Sequence, residues 1–190
     1  MILKIFEYFA KFPARSGVIS AFANGKSDLP FYNDLLNRVK ALPEAGKIPD
    51  IKSYVFGVDM DTVKRRVDSI TGTYLFVDFG ELESSRDGRN SIVDTFRMAA
   101  TVAAKVSDVT DTVERAVISD ITLSLINELR ARIYADSGRD HTPWLQELSY
   151  KHSIIPFMSP ELSSAGWSLI FTSEGSDILD LKSLIKSFTK

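Results

Sequence analysis

Asp59 and Asp61 are the residues in this chain best placed to do chemistry. They follow the apolar run Tyr54-Val55-Phe56-Gly57-Val58 and precede Thr62-Val63. Two carboxylates at this spacing after a strand can divide the work of phosphoryl transfer. The first attacks phosphorus, the second serves as acid and base, and a magnesium ion neutralises the phosphate. Such a site also needs a lysine and a distal acidic pair at the ends of later parallel strands. Asp78 and Asp177 are available, but no βαβ series aligns them. The preferred reading is an Asp-rich turn that caps the charged segment after it, because so short a motif recurs by chance.

The Asp-x-Asp-x-Val pattern resembles the first motif of haloacid-dehalogenase-type phosphatases, and a magnesium-dependent phosphatase using Asp59 and Asp61 stays as the last of three functional readings. Asp78-Phe79-Gly80 matches the metal-binding triplet of protein kinases, yet no glycine-rich phosphate loop or catalytic-loop signature accompanies it. It reads as a strand end. Arg139-Asp140-His141 sets an acid beside an imidazole, but Gly138 and Pro143 flank it, so it reads as a turn. No Gly-x-Ser-x-Gly elbow exists, and Gly25-Lys26-Ser27 lacks the upstream glycine of a phosphate loop. Trp144 and Trp167 could stack a ligand; on strands, rings of this size are more often core or interface. No catalytic, cofactor-binding or metal-ligating residue is assigned, and no cofactor is expected.

Composition narrows the classes. The chain has 190 residues, 44% hydrophobic, with 23 basic against 25 acidic side chains. A net charge of −2 argues against duplex nucleic acid as the main partner, since phosphate backbones require a concentrated basic face. Cysteine is absent, which removes disulfides, thiolate catalysis and Cys-ligated zinc together. The two histidines, His141 and His152, leave little for a metal site or a proton relay. Lys4, Glu7, Lys11 and Arg15 interrupt the apolar N-terminus, so neither a signal peptide nor a membrane span is expected. The expectation is a soluble protein that begins in a cytoplasm.

The elements that must position any site are legible from periodicity. Residues 1–29 read as an N-terminal arm or a short helix, and 30–190 as a single α+β domain. Asp28, Leu29 and Pro30 open a helix whose stripe is Phe31, Leu35, Val39 and Leu42, ending at Pro43 and Gly46. A short strand is expected in 51–58, and 62–70 is either a helical turn or a charged connection. Two apolar segments, 73–81 and 95–104, flank a polar loop containing Asp87-Gly88, which is the pattern of a long β-hairpin. Phe96, Met98, Ala100 and Val102 share one face of the second strand. The first strand, Tyr74 to Phe79, is apolar on both faces, as under helices or a neighbouring subunit. A long helix is expected over 110–135, with Val113, Val117, Ile121, Leu125, Leu129 and Ile133 as its stripe, widened by Ile118 and Ile126. Strands at 144–152 and 167–172, an irregular link through Pro156 and Pro160, and a helix at 178–188 complete the chain. The fold class is α+β, a mainly antiparallel sheet with a long hairpin and one long helix packed on one face.

This order resembles the tail terminator, or minor tail and tail-completion, proteins of tailed bacteriophages, and head–tail connector proteins of similar build. The likeness lies in the helix at 30–42, the strand at 52–56, and the strand ending Asp78-Phe79-Gly80-Glu81. It continues through the strand at 94–105, the Asp-rich helix start at 108–120 and the Gly166–Phe171 Gly-Trp-x-Leu-x-Phe strand. The N-terminal arm and C-terminal helix depart from the usual pattern. The resemblance implies a structural subunit of a phage or prophage that closes into a homo-oligomeric ring, typically a hexamer. Its partners would be other virion proteins such as the tail tube or head connector, and its location the virion or the cytoplasm of a bacterial host. Neither a membrane nor sequence-specific nucleic acid is implied. The expected interface comprises Tyr74, Phe76, Asp78, Glu83, Arg86, Asp87 and Arg89, the last four around a tip that projects into a lumen or onto the tube, or is simply solvated. The second reading is a soluble bacterial α+β protein that binds another protein or a small ligand, with Trp144 and Trp167 near the site.

Overall fold

Strand β3 (Ile92–Lys105) is the middle of the sheet, and the rest of the fold is laid against it. The computed structural model describes residues 2–22, 25, 27–86, 88, 90, 92–108, 110–137 and 152–175. Among these, five helices and five strands follow the order α1 (Ile2–Phe9), α2 (Arg15–Ile19), α3 (Pro30–Lys40), β1 (Ser53–Phe56), α4 (Met60–Asp68), β2 (Thr73–Arg86), β3, α5 (Thr112–Ser137), β4 (His152–Ser159) and β5 (Ser164–Gly175). The sheet runs β1-β2-β3-β5-β4. Only β1 and β2 pair in parallel, joined by α4; the other three pairings are antiparallel. The fold is α+β with a mixed, mostly antiparallel sheet.

One face carries the main core. Phe96, Met98, Ala100 and Val102 of β3 are buried there with Leu75 and Val77 of β2, Tyr54 of β1, and Leu169 and Phe171 of β5. Above them lie α1, α2, α3 and α5, which contribute Ile5, Phe6, Phe9, Val18, Leu35, Val39, Ile126 and Leu129. The first 29 residues, read as an arm or a short helix, thus hold two helices, and α1 is built into this core. Each such side chain contributes roughly 1.5–3 kcal/mol on burial. The fully buried Tyr54 donates its hydroxyl to the Phe6 carbonyl at 3.2 Å, tying α1 to the sheet. Burial holds that phenol well above its ordinary pKa, so it remains a donor.

The opposite face has a smaller core under α4. Val63 and Val67 pack there with Ile70, Val55, Tyr74, Phe76, Ala103 and Leu162. The two-sided apolarity of β2 therefore has an intramolecular cause, with different helices on its two faces. Segment 62–70 is helical because Asp59 caps it and Val63 and Val67 give it an apolar side.

Both predicted stripes are corrected by helical geometry. Residues four apart are rotated by about 40° on a helix of 3.6 residues per turn, so a strict every-fourth row winds around the surface. In α5 the buried set is Thr122, Leu125, Ile126, Leu129 and Ile133, while Val113 at the other end of the row is 70% exposed, and Val117 and Ile121 are exposed too. In α3, Leu35, Leu36 and Val39 are buried and Phe31 is exposed. Pro156 belongs to β4 and not to an irregular link: β4 is an edge strand, where a missing N–H costs least. The predictions that fall on 138–151 and 176–190 (Arg139-Asp140-His141, Trp144, Asp177 and the helix at 178–188) lie outside the described residues.

The long hairpin changes register between Asp78 and Glu81. Gly80 sits at this bulge with φ +50°, and a Cβ there would lie 2.2 Å from the Arg97 carbonyl oxygen. Its N–H is accepted by the Asp78 carboxylate at 2.8 Å. Gly80→Ala should destabilise the fold by about 1–3 kcal/mol in chemical denaturation. Gly88→Ala at the tip, which meets open space, should leave the midpoint nearly unchanged. Equal midpoints for the two variants would show that the bulge is not under this constraint.

Candidate functional site

Asp59 and Asp61 are separated by their roles in α4. Asp59 is the N-cap: its Oδ2 accepts the Thr62 N–H at 3.0 Å and also the Thr62 hydroxyl. Those bonds hold its carboxyl below the usual carboxylate range. Asp61 lies in the first turn, where a negative charge complements the helix dipole. Strand β1 ends just before Asp59 and is parallel to β2, yet it is the edge strand of the sheet. No cluster of three or more His, Asp or Glu side chains able to hold a metal occurs among the described residues. This arrangement accounts for the aspartate pair as a cap.

The Asp-rich start of α5 has the same explanation. Asp111 Oδ1 accepts the N–H groups of Val113 and Glu114 at 2.8 and 3.0 Å. Glu114 reaches back to the Ser107 and Asp108 N–H groups, both at 3.1 Å. The helix N-terminus is closed by its own side chains.

Trp167 packs against the main core and donates its indole N–H to the Ser119 carbonyl of α5 at 2.9 Å. It is a strut between β5 and α5, as the core reading expected. Beneath the sheet, Thr101 and Ser168 share a buried hydroxyl bond of 2.7 Å, which satisfies two polar groups between β3 and β5.

The expected interface residues are dispersed. Tyr74 and Phe76 are buried under α4, and their apolar cover comes from Val63 and Val67 of the same chain. Asp78 serves the Gly80 bulge. Glu83 and Glu81 flank Arg97, at 3.8 and 3.3 Å. Arg86 donates to the Asn90 side chain at 2.8 Å. Asp87 and Arg89 lie outside the described residues.

What remains is a surface made by backbone. Strand β1, Ser53–Phe56, covers only Tyr74 to Val77 of β2. From Asp78 to Arg86 the outer edge of β2 has no strand beside it among the described residues, although its inner edge stays paired with β3. Residues 81–86 are exposed, and Leu82 and Ile92 present apolar side chains at 46% and 56% exposure. Neither was singled out from sequence. The usable signal was that the apolar alternation continues through Leu82 into the polar loop.

Fold and surface together define an α+β protein with a mixed sheet, a long hairpin whose second strand also pairs with β5 out to Asp94, and an outer β2 edge with no strand beside it among the described residues. No protein-family model, curated protein or solved structure matches the chain. No described helix is long and apolar enough to cross a membrane.

Two measurements test these assignments. Asp59→Ala should lower the thermal midpoint more than Asp61→Asn, because only the first removes the cap; the reverse order would return the pair to a functional role. At the α5–β4 contact, His152 faces the Tyr134 hydroxyl at 3.1 Å from Nδ1, and burial, then Arg130, holds its pKa below the usual 6.5. The unfolded chain binds that proton more readily, so stability should fall as pH drops below about 6.5 and level off below the folded pKa. Asp59, Asp108 and Glu114, all with lowered pKa, act in the window below the usual carboxylate range and do not overlap. His152→Gln should flatten thermal unfolding midpoints between pH 7.5 and 5; an unchanged profile would remove His152 as the cause.

Proposed function

We propose that this chain is a non-enzymatic assembly subunit of the tail-terminator kind found in tailed bacteriophages, and that it builds a ring by joining copies through its projecting hairpin. The observation that carries the reading is the open outer edge of β2 from Asp78 to Arg86. A row of unpaired N–H and C=O groups is a template for a further strand, and natural sheets cover or blunt such edges unless they are used. The hairpin extends past the main core, so another chain can approach it without disturbing Tyr74 to Val77.

Charge favours contact between unlike surfaces. Glu81 and Glu83 lie on one face of β2 and, among the described residues, share one arginine, Arg97. Two copies of this edge placed against each other would bring the acidic pairs together. A head-to-tail contact avoids that, and such contacts close into rings when the rotation permits. Virion position, tube and head connector belong to this same proposal.

Native mass spectrometry and light scattering of the full chain over a range of concentrations test it. The expected result is a closed oligomer, with six copies as the leading expectation. The double substitution Leu82→Lys with Ile92→Lys, on exposed positions, should yield a folded monomer that unfolds cooperatively. A wild-type chain that stays monomeric at every concentration, or a double variant that assembles normally, would overturn the proposal.

A further inference from the structure

The first half of α5 is apolar on a side that its own sheet does not use. Thr122, Leu125, Ile126, Leu129 and Ile133 turn inward, so at about 100° per residue Val113 and Val117 point nearly the opposite way. Both are exposed among the described residues, as is Ile121 at their flank. Asp120 is exposed beside them, and its carboxylate takes part in no ion pair among the described residues. A surface helix normally keeps its polar residues outward, and one that is apolar all round is covered all round.

The hairpin carries a surface of similar length and opposite charge. Leu82 pairs with Phe96 and Arg86 with Ile92, and residues opposite each other or four apart along a strand share a face. Leu82, Arg86 and Ile92 therefore stand on one face, and all three are exposed. Among the described residues Arg86 donates to the Asn90 side chain, a neutral acceptor, and has no carboxylate partner. Leu82 and Ile92 are four ladder positions apart, about 13 Å along the strands. Val113 and Ile121 are eight helical positions apart, about 12 Å along the axis.

The two surfaces lie toward opposite ends of the molecule. Trp167 pairs with Val102 and bonds the Ser119 carbonyl, which fixes the apolar half of α5 over that end of β3. Ile92 is ten positions away, roughly 33 Å along the strand. One copy cannot bring the surfaces together, so contact between them joins two copies. We propose that the hairpin of one copy seats its Leu82–Ile92 face on the outer side of α5 of a second copy, with Arg86 meeting Asp120. This rests on the reading that copies join through the hairpin, and it names the receiving surface.

Light scattering and native mass spectrometry of mixed variants of the full chain test it. Val113→Lys with Val117→Lys breaks the receiving surface; Leu82→Lys with Ile92→Lys breaks the donating one. Each double variant alone should be monomeric. Mixed in equal amounts, each supplies the surface the other has lost, so a 1:1 heterodimer and nothing larger should form. Should the α5 double variant fail to fold, Asp120→Lys should weaken assembly at least about tenfold, and adding Arg86→Glu should restore it. An α5 variant that assembles like the wild type while the hairpin variant stays monomeric would overturn this inference and leave assembly through the hairpin standing. A mixture without heterodimer, or a charge swap that restores nothing, would also overturn it. If the α5 variant instead has a lowered unfolding midpoint and forms no heterodimer, the cover of the stripe belongs to the same chain and the inference fails. A wild-type chain that is monomeric at every concentration removes both readings.

Discussion

Because β2 is covered on both faces between residues 74 and 77, its register against β3 cannot slip by one position without cost. A single-residue shift would drive Tyr74 and Phe76 into the main core and push Leu75 and Val77 under α4. The two cores differ in shape: one takes the aromatics of α1, the other only two valines of α4, Ile70 and Leu162. Register is therefore set in the first third of the hairpin and carried outward by backbone pairing on both sides of β3 and by the buried Phe96. The Gly80 bulge lies where the two-sided cover ends, and beyond Phe96 the strands are held by ladder bonds and exposed polar pairs such as Ser84 with Asp94.

That division gives the molecule a rigid body and a projecting ribbon. On the body, nearly every polar group that could suggest chemistry is committed to structure. Asp59 and Asp111 cap helices, Asp78 supports the bulge, Trp167 braces α5, and Tyr54 anchors α1. Among the described residues, a surface without such commitments is the outer edge of β2. It offers backbone groups to another chain.

How far the sequence could be read follows from how local each signal is. The alternation Phe96, Met98, Ala100, Val102 named the buried face of β3 correctly, because a period of two does not drift. The every-fourth row in α5 failed at Val113, Val117 and Ile121, because a period of four does. Pro156 was set aside as a strand breaker, whereas an edge strand tolerates it. Of the candidate site, the polar character of Glu83 and Arg86 was legible, but the exposure of Leu82 and Ile92 was not, since apolar residues in a strand read as core.

By itself the sequence determined the α+β class, the long hairpin with its polar tip, the long helix, and a set of carboxylates ready to cap helices. These depend on neighbours within a few residues, so local pattern suffices. Tertiary structure alone decided that α1 lies in the core, that α4 covers Tyr74 and Phe76, and that β1 lies beside only Tyr74 to Val77 of β2. Those outcomes depend on which distant segments reach each face first, and on lengths that match or fail to match between strands far apart in the chain.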